Sequence, residues 1–198
     1  MRKFTIYASF LALTACSDSA KKLIVMSKGP ADIDAKALTV KATDGSGHEE
    51  KTFVLGSGSY TLKLSSPAGE GTSEVKEDGL YVVNVKNDTI IGSFQNYVKP
   101  SEANALITQE QLKHRLDSLQ LLSEGKNVSA ANKNFFITPN QAIKITDNRD
   151  AIIVGPYHQM TSAETVNGKA PDVFRFFSIK EIRETIEKLK VLTTPRKV

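Results

Sequence analysis

Cysteine occurs once and tryptophan not at all in this 198-residue chain. A single cysteine excludes an internal disulfide, so packing and hydrogen bonds must hold the fold. Aromatic residues make up only 7%, which leaves aliphatic side chains to fill the core. Neither sign of charge dominates: 26 basic and 22 acidic side chains give +4 at pH 7, and each half of the chain is near neutral. That balance excludes the basic stripe of a nucleic-acid-binding surface. After residue 16 no apolar run approaches the roughly 20 residues of a membrane-spanning helix. Also missing are a Gly-rich phosphate loop, His-x-x-x-His or His-Glu-x-x-His spacing, and a complete Gly-x-Ser-x-Gly nucleophile motif. What remains, 40% apolar and 24% charged, is globular composition.

The N-terminus reads as an address. Arg2 and Lys3 precede a short, mostly apolar stretch over residues 4–15. The stretch is too short to span a bilayer and has the shape of a secretory signal peptide. It ends in Leu13-Thr14-Ala15-Cys16, which resembles the lipobox of bacterial lipoproteins. The resemblance implies cleavage after Ala15 and a lipid, palmitate among its acyl chains, on Cys16. Two or more acyl chains anchor stably where one does not. Loss of Arg2 and Lys3 with the signal would bring the net charge from +4 to +2. Ser17, in the place where aspartate resembles an inner-membrane retention signal, implies outer-membrane delivery.

Four regions are expected: a signal peptide (1–15), a lipidated tether (16–35), a β-rich domain (36–100) and an α+β region (101–198). The fold class is α+β. In the tether Leu23-Ile24-Val25-Met26 is an apolar interruption that could be an edge strand or an anchor lying against the domain. A chain starting near Ala35 is expected to fold. In the β-rich domain, Leu38, Val40 and Ala42 alternate with polar residues, as do Tyr60, Leu62 and Leu64. Further runs at 52–55, 80–85 and 89–94 are separated by turns, with Lys86-Asn87-Asp88 read as a hairpin loop. These short strands predict a small antiparallel β-sandwich-like region or an open barrel. Residues 58–64 and 79–83 resemble the closing strand of carboxypeptidase-regulatory-like β-sandwiches, which implies the sandwich.

The period changes after Lys99-Pro100. Residues 108–124 read as a helix with Thr108 and Gln111 as a capping box, an apolar face of Leu112, Leu116, Leu119 and Leu122, and Gly125 as its end. Short strands follow near 135–138, 142–145, 151–154 and 173–177. A second amphipathic helix runs from Ser178 to about Leu192, again with a capping box, Ser178 and Glu181. Its Ile179, Ile182, Ile186 and Leu189 share a face, and Glu184 and Lys188 are spaced to pair on the opposite one.

Three histidines are candidates for chemistry. His48, in a glycine-flanked turn beside Glu49 and Glu50, reads as solvated, because its local sequence supplies too few metal ligands. His114 reads as a surface helix residue. Tyr157-His158, after Gly155-Pro156 at the end of an apolar strand, is the candidate ligand-binding position, with Asp147, Asp150 and Glu164 as carboxylate neighbours. No catalytic residue, metal ligand or cofactor is assigned. The expectation is a lipid-anchored bacterial envelope protein with a non-catalytic binding or structural role. It would meet the membrane through Cys16, meet an envelope protein partner, and bind no nucleic acid. An envelope hydrolase with a site near Tyr157-His158, or an accessory subunit of an envelope complex, are the alternatives.

Overall fold

The computed structural model describes residues 20–95, 108–158 and 170–193. The signal segment, the lipobox and Cys16 lie outside the described residues. In chain order the elements are β1 (Lys21–Ser27), β2 (Ala31–Asp34), β3 (Thr39–Ala42), β4 (Glu49–Leu55), β5 (Tyr60–Ser66), β6 (Gly69–Val75), β7 (Gly79–Asn84), β8 (Ile90–Gln95), α1 (Gln109–Ser123), β9 (Asn134–Ile137), β10 (Gln141–Thr146), β11 (Ile152–Val154), β12 (Val173–Ser178) and α2 (Ile179–Thr193). The class is α+β, as the periodicities predict. The strands form three four-stranded sheets, ordered β10-β7-β1-β4, β2-β3-β5-β6 and β11-β12-β8-β9.

The apolar side chains stack these sheets in layers. Leu23, Val25, Tyr81 and Val83 of the first sheet pack with Val40, Leu62 and Leu64 of the second. Alternate residues of the same strands, Ile24, Met26, Leu80 and Val82, pack with Ile90, Ile137, Phe174 and Phe176 of the third. The far face of the third sheet, with Ile91, Phe136 and Phe177, meets Leu122 of α1 and Ile182 and Ile186 of α2. The first sheet is thus covered on both faces. Its inner strands β1 and β7, which run parallel, are continuous apolar runs for that reason.

This corrects the tether. Residues 21–34 are β1 and β2, and β1 is an inner strand with Leu23, Val25 and Met26 wholly buried. Burying each such side chain stabilises the fold by about 1.5–3 kcal/mol. A boundary near residue 100 is not seen either, because β7 pairs with β10 and β8 pairs with β12. Nor do the strands of residues 36–100 form one antiparallel unit. They are shared among all three sheets, and β3–β5 is parallel.

Lys86-Asn87-Asp88 does not close a hairpin. It carries the chain from β7 in the first sheet to β8 in the third. Asn84 holds this crossover: its side-chain amide donates to the carbonyls of Asp88 and Ile137, and its Oδ1 accepts from Lys86 N–H.

The helix ends match their sequence signals. Thr108 and Gln111 form the capping box of α1, and Gly125 follows that helix at φ +71°. Ser178 and Glu181 exchange the reciprocal bonds of a second box, at 2.7 and 3.1 Å. Ile182, Ile186 and Leu189 are buried. Glu184 pairs with Lys180 at 4.0 Å rather than with Lys188.

Candidate functional site

The site forms at the end of the first sheet where β1 finishes. There Glu50 of β4 stands opposite Met26 of β1, and Met26 opposite Asn84 of β7. His48 lies two residues before Glu50, so both side chains leave the chain on the same side. The turn ahead of His48 is pinned by Thr43 N–H to the Pro30 carbonyl and by Gly47 N–H to the Lys28 carbonyl, each at 3.1 Å.

The second part comes from the loop after β11. Tyr157 adopts φ +65°, a left-handed conformation that costs a non-glycine residue energy. Three contacts hold it there. Its N–H donates to Glu181 Oε1 at 3.0 Å, its hydroxyl lies 3.0 Å from Ser178 Oγ, and His158 N–H closes the turn onto the Gly155 carbonyl. Ser178 and Glu181 are also the capping box of α2, so the helix start and the loop are one hydrogen-bonded assembly.

This arrangement brings His158 to Glu50 at the start of β4 and to His48 just before that strand. His48 Nε2 lies 2.8 Å from Glu50 Oε1, and His158 Nδ1 lies 3.8 Å from the same oxygen. The imidazole centroids are 5.2 Å apart with the rings edge to face. His48 is not solvated: its side chain is 5% exposed. A further donor group, His158, comes from a distant loop, which local spacing cannot reveal. Gly155 makes the approach possible. A Cβ there would overlap the Glu50 carboxylate and press on His48 Nε2.

Lys86 is buried beside the Tyr157 loop. It is 1% exposed, and its ammonium lies 5.8 Å from the centroid of the Tyr157 ring. Burial holds its pKa below the usual lysine value of 10.5. The carboxylates of Asp88 and Glu181 oppose that shift, and Lys28 adds to it. No signal marks Lys86 in the sequence, where Lys-Asn-Asp reads as a turn.

Two of the expected carboxylate partners of His158, Asp147 and Asp150, do not meet it. Asp147 pairs with Lys144 at 2.7 Å, at the opposite end of the sheet, where Thr146 stands against Leu80. Asp150 is exposed, with its N–H bonded to Asn148 Oδ1. Glu164 lies outside the described residues. His114 is exposed on α1, as expected. A shallow cleft of about 350 Å³ opens beside the Tyr157 loop, with Arg175, Glu181 and Lys188 among its walls.

Compared with known proteins, the chain matches no family model, no curated protein and no solved structure.

Proposed function

We propose that this chain is a lipid-anchored protein of a bacterial envelope, held at the outer membrane, whose domain has a non-catalytic binding role. The observation that carries the reading is the position of the Leu13-Thr14-Ala15-Cys16 lipobox relative to β1 and the site. Five residue steps separate Cys16 from Lys21, a reach of about 18 Å when extended. A lipid on Cys16 would therefore hold the Lys21 end of the first sheet close to a bilayer. His48, Glu50 and His158 gather at the Ser27 end, roughly 17 Å further along the strand. Anchored this way, the protein would direct its site away from the membrane, where a ligand or an envelope protein partner can reach it.

A binding role fits the occupied state of the polar groups. Ser178 and both carboxylate oxygens of Glu181 are engaged in holding the loop and the helix start. Groups so engaged hold the loop in a fixed geometry, as a binding surface requires.

Fractionation of cells making the full chain tests the anchor. Wild-type protein should sediment with outer membranes and incorporate labelled palmitate. Cys16→Ser protein should do neither. Palmitate-free wild-type protein, or membrane-bound and processed Cys16→Ser protein, would overturn the assignment.

A further inference from the structure

We propose that His48, Glu50 and His158 form a binding site for a divalent late first-row metal ion, with Zn²⁺ the best match. The inference does not depend on the anchor. Three donor atoms, one from each residue, lie within 4.8 Å of one another. Ligands at the usual Zn–N and Zn–O lengths in a tetrahedral site are about 3.3–3.5 Å apart. The separations here, 2.8 Å from His48 Nε2 and 3.8 Å from His158 Nδ1 to Glu50 Oε1, straddle that value. The third separation, between the two histidine nitrogens, is within 4.8 Å, so seating the ion would draw the side chains together by up to about 1.5 Å.

Donor chemistry selects the class of metal. Two imidazoles and one carboxylate are an N₂O set, which suits zinc and its late first-row neighbours better than magnesium or calcium. Three protein ligands leave a fourth position for water or an incoming donor group. His158 is 59% exposed along its side chain, so that position would face solvent.

Two further observations separate this cluster from a chance surface ion pair. The His48 side chain is only 5% exposed, and its ring is held with Nε2 aimed at the carboxylate. Then there is Gly155, whose missing side chain is the space that Glu50 and His48 occupy. The ligands also stand on fixed supports, β4 on one side and the loop latched to α2 on the other, as a preorganised site requires.

The test is titration of untagged, detergent-solubilised full-length protein with Zn²⁺ alone, followed by calorimetry and by thermal melting. Wild type should bind one equivalent and melt at a higher temperature with the ion present. Glu50→Gln and His158→Ala should each weaken binding by at least about tenfold, since even outer-shell changes cost 10–100-fold. Gly155→Ala should weaken it as well, without removing a ligand. His114→Ala, on the exposed face of α1, should bind like wild type. His158 is exposed, so its variant should fold even if a His48 variant does not, and matching melts without zinc will show this. Absence of zinc binding to wild type, or equal binding by Glu50→Gln and His158→Ala, would overturn the site. Such a result would leave the lipid anchor untouched.

Discussion

Tyr157 donates its backbone N–H to Glu181 Oε1, so the residue that caps α2 also holds the loop that carries His158. One carboxylate thereby couples a helix start to a candidate ligand 23 residues earlier in the chain. Glu181→Ala should lose both the capping bond and the loop bond. Loss of a cap costs about 0.5–2 kcal/mol, and urea denaturation should show a drop of that size. Tyr157→Phe removes only the hydroxyl contact with Ser178 and should cost about 0.5–1.5 kcal/mol. A Glu181→Ala protein as stable as wild type would mean that the latch contributes nothing.

A chain that starts at Ala35 should not fold. It lacks β1, which lies between β7 and β4 and supplies side chains to two cores. Circular dichroism should show no cooperative unfolding transition. A two-state transition would show that β1 is dispensable despite its burial between two cores.

The α2 helix should be far more sensitive on its inner face than on its outer one. Ile186 is 6% exposed and packs with Ile91 and Leu122, so Ile186→Ala should cost about 2–5 kcal/mol. The Lys180 and Glu184 side chains are 76% and 56% exposed, and their pair should contribute no more than about 0.5 kcal/mol. Thermal melts of Ile186→Ala and Lys180→Ala should therefore differ clearly. Equal melting temperatures would mean that α2 is loosely seated.

Lys86 makes a prediction in pH. Burial lowers its folded pKa below the 10.5 of an unfolded lysine. Between the two values the unfolded chain binds more protons than the folded one, so stability rises with pH across that window. Below the folded value the ammonium is held in the interior at a cost that the unfolded chain does not bear. Wild type should therefore gain stability relative to Lys86→Met as pH rises toward 10.5. Denaturant midpoints of the two proteins, measured from pH 7 upward, should converge or cross in that direction. A constant or opposite difference would show that Lys86 is not held against its charge.

What could be read directly from the sequence was local. The helix at Thr108 and the one at Ser178 announce themselves by caps and by a 3.6-residue apolar period, and both lie within one stretch of chain. The alternation of Tyr60, Leu62 and Leu64 marks a strand with one buried face, again without reference to anything distant. Leu23 to Met26 was ambiguous for a physical reason. A strand covered on both faces loses the alternation that identifies strands, and its run is short enough to suit a tether contact.

The site shows the same division more sharply. Tyr157-His158 stood out because a Gly-Pro break after an apolar strand marks a loop, and the loop proved to be latched by Glu181. His48 and Glu50 did not stand out, because their partner His158 is more than a hundred residues away. The sequence by itself determined the α+β class and both helices with their caps, and it holds the Leu13-Thr14-Ala15-Cys16 pattern on which the proposed anchor rests. Only the tertiary structure decided that β1 is a core strand, that Lys86 is buried and that two histidines meet one carboxylate. Periodicity and capping act over a few residues, whereas sheet pairing and burial depend on which distant strands come to lie side by side.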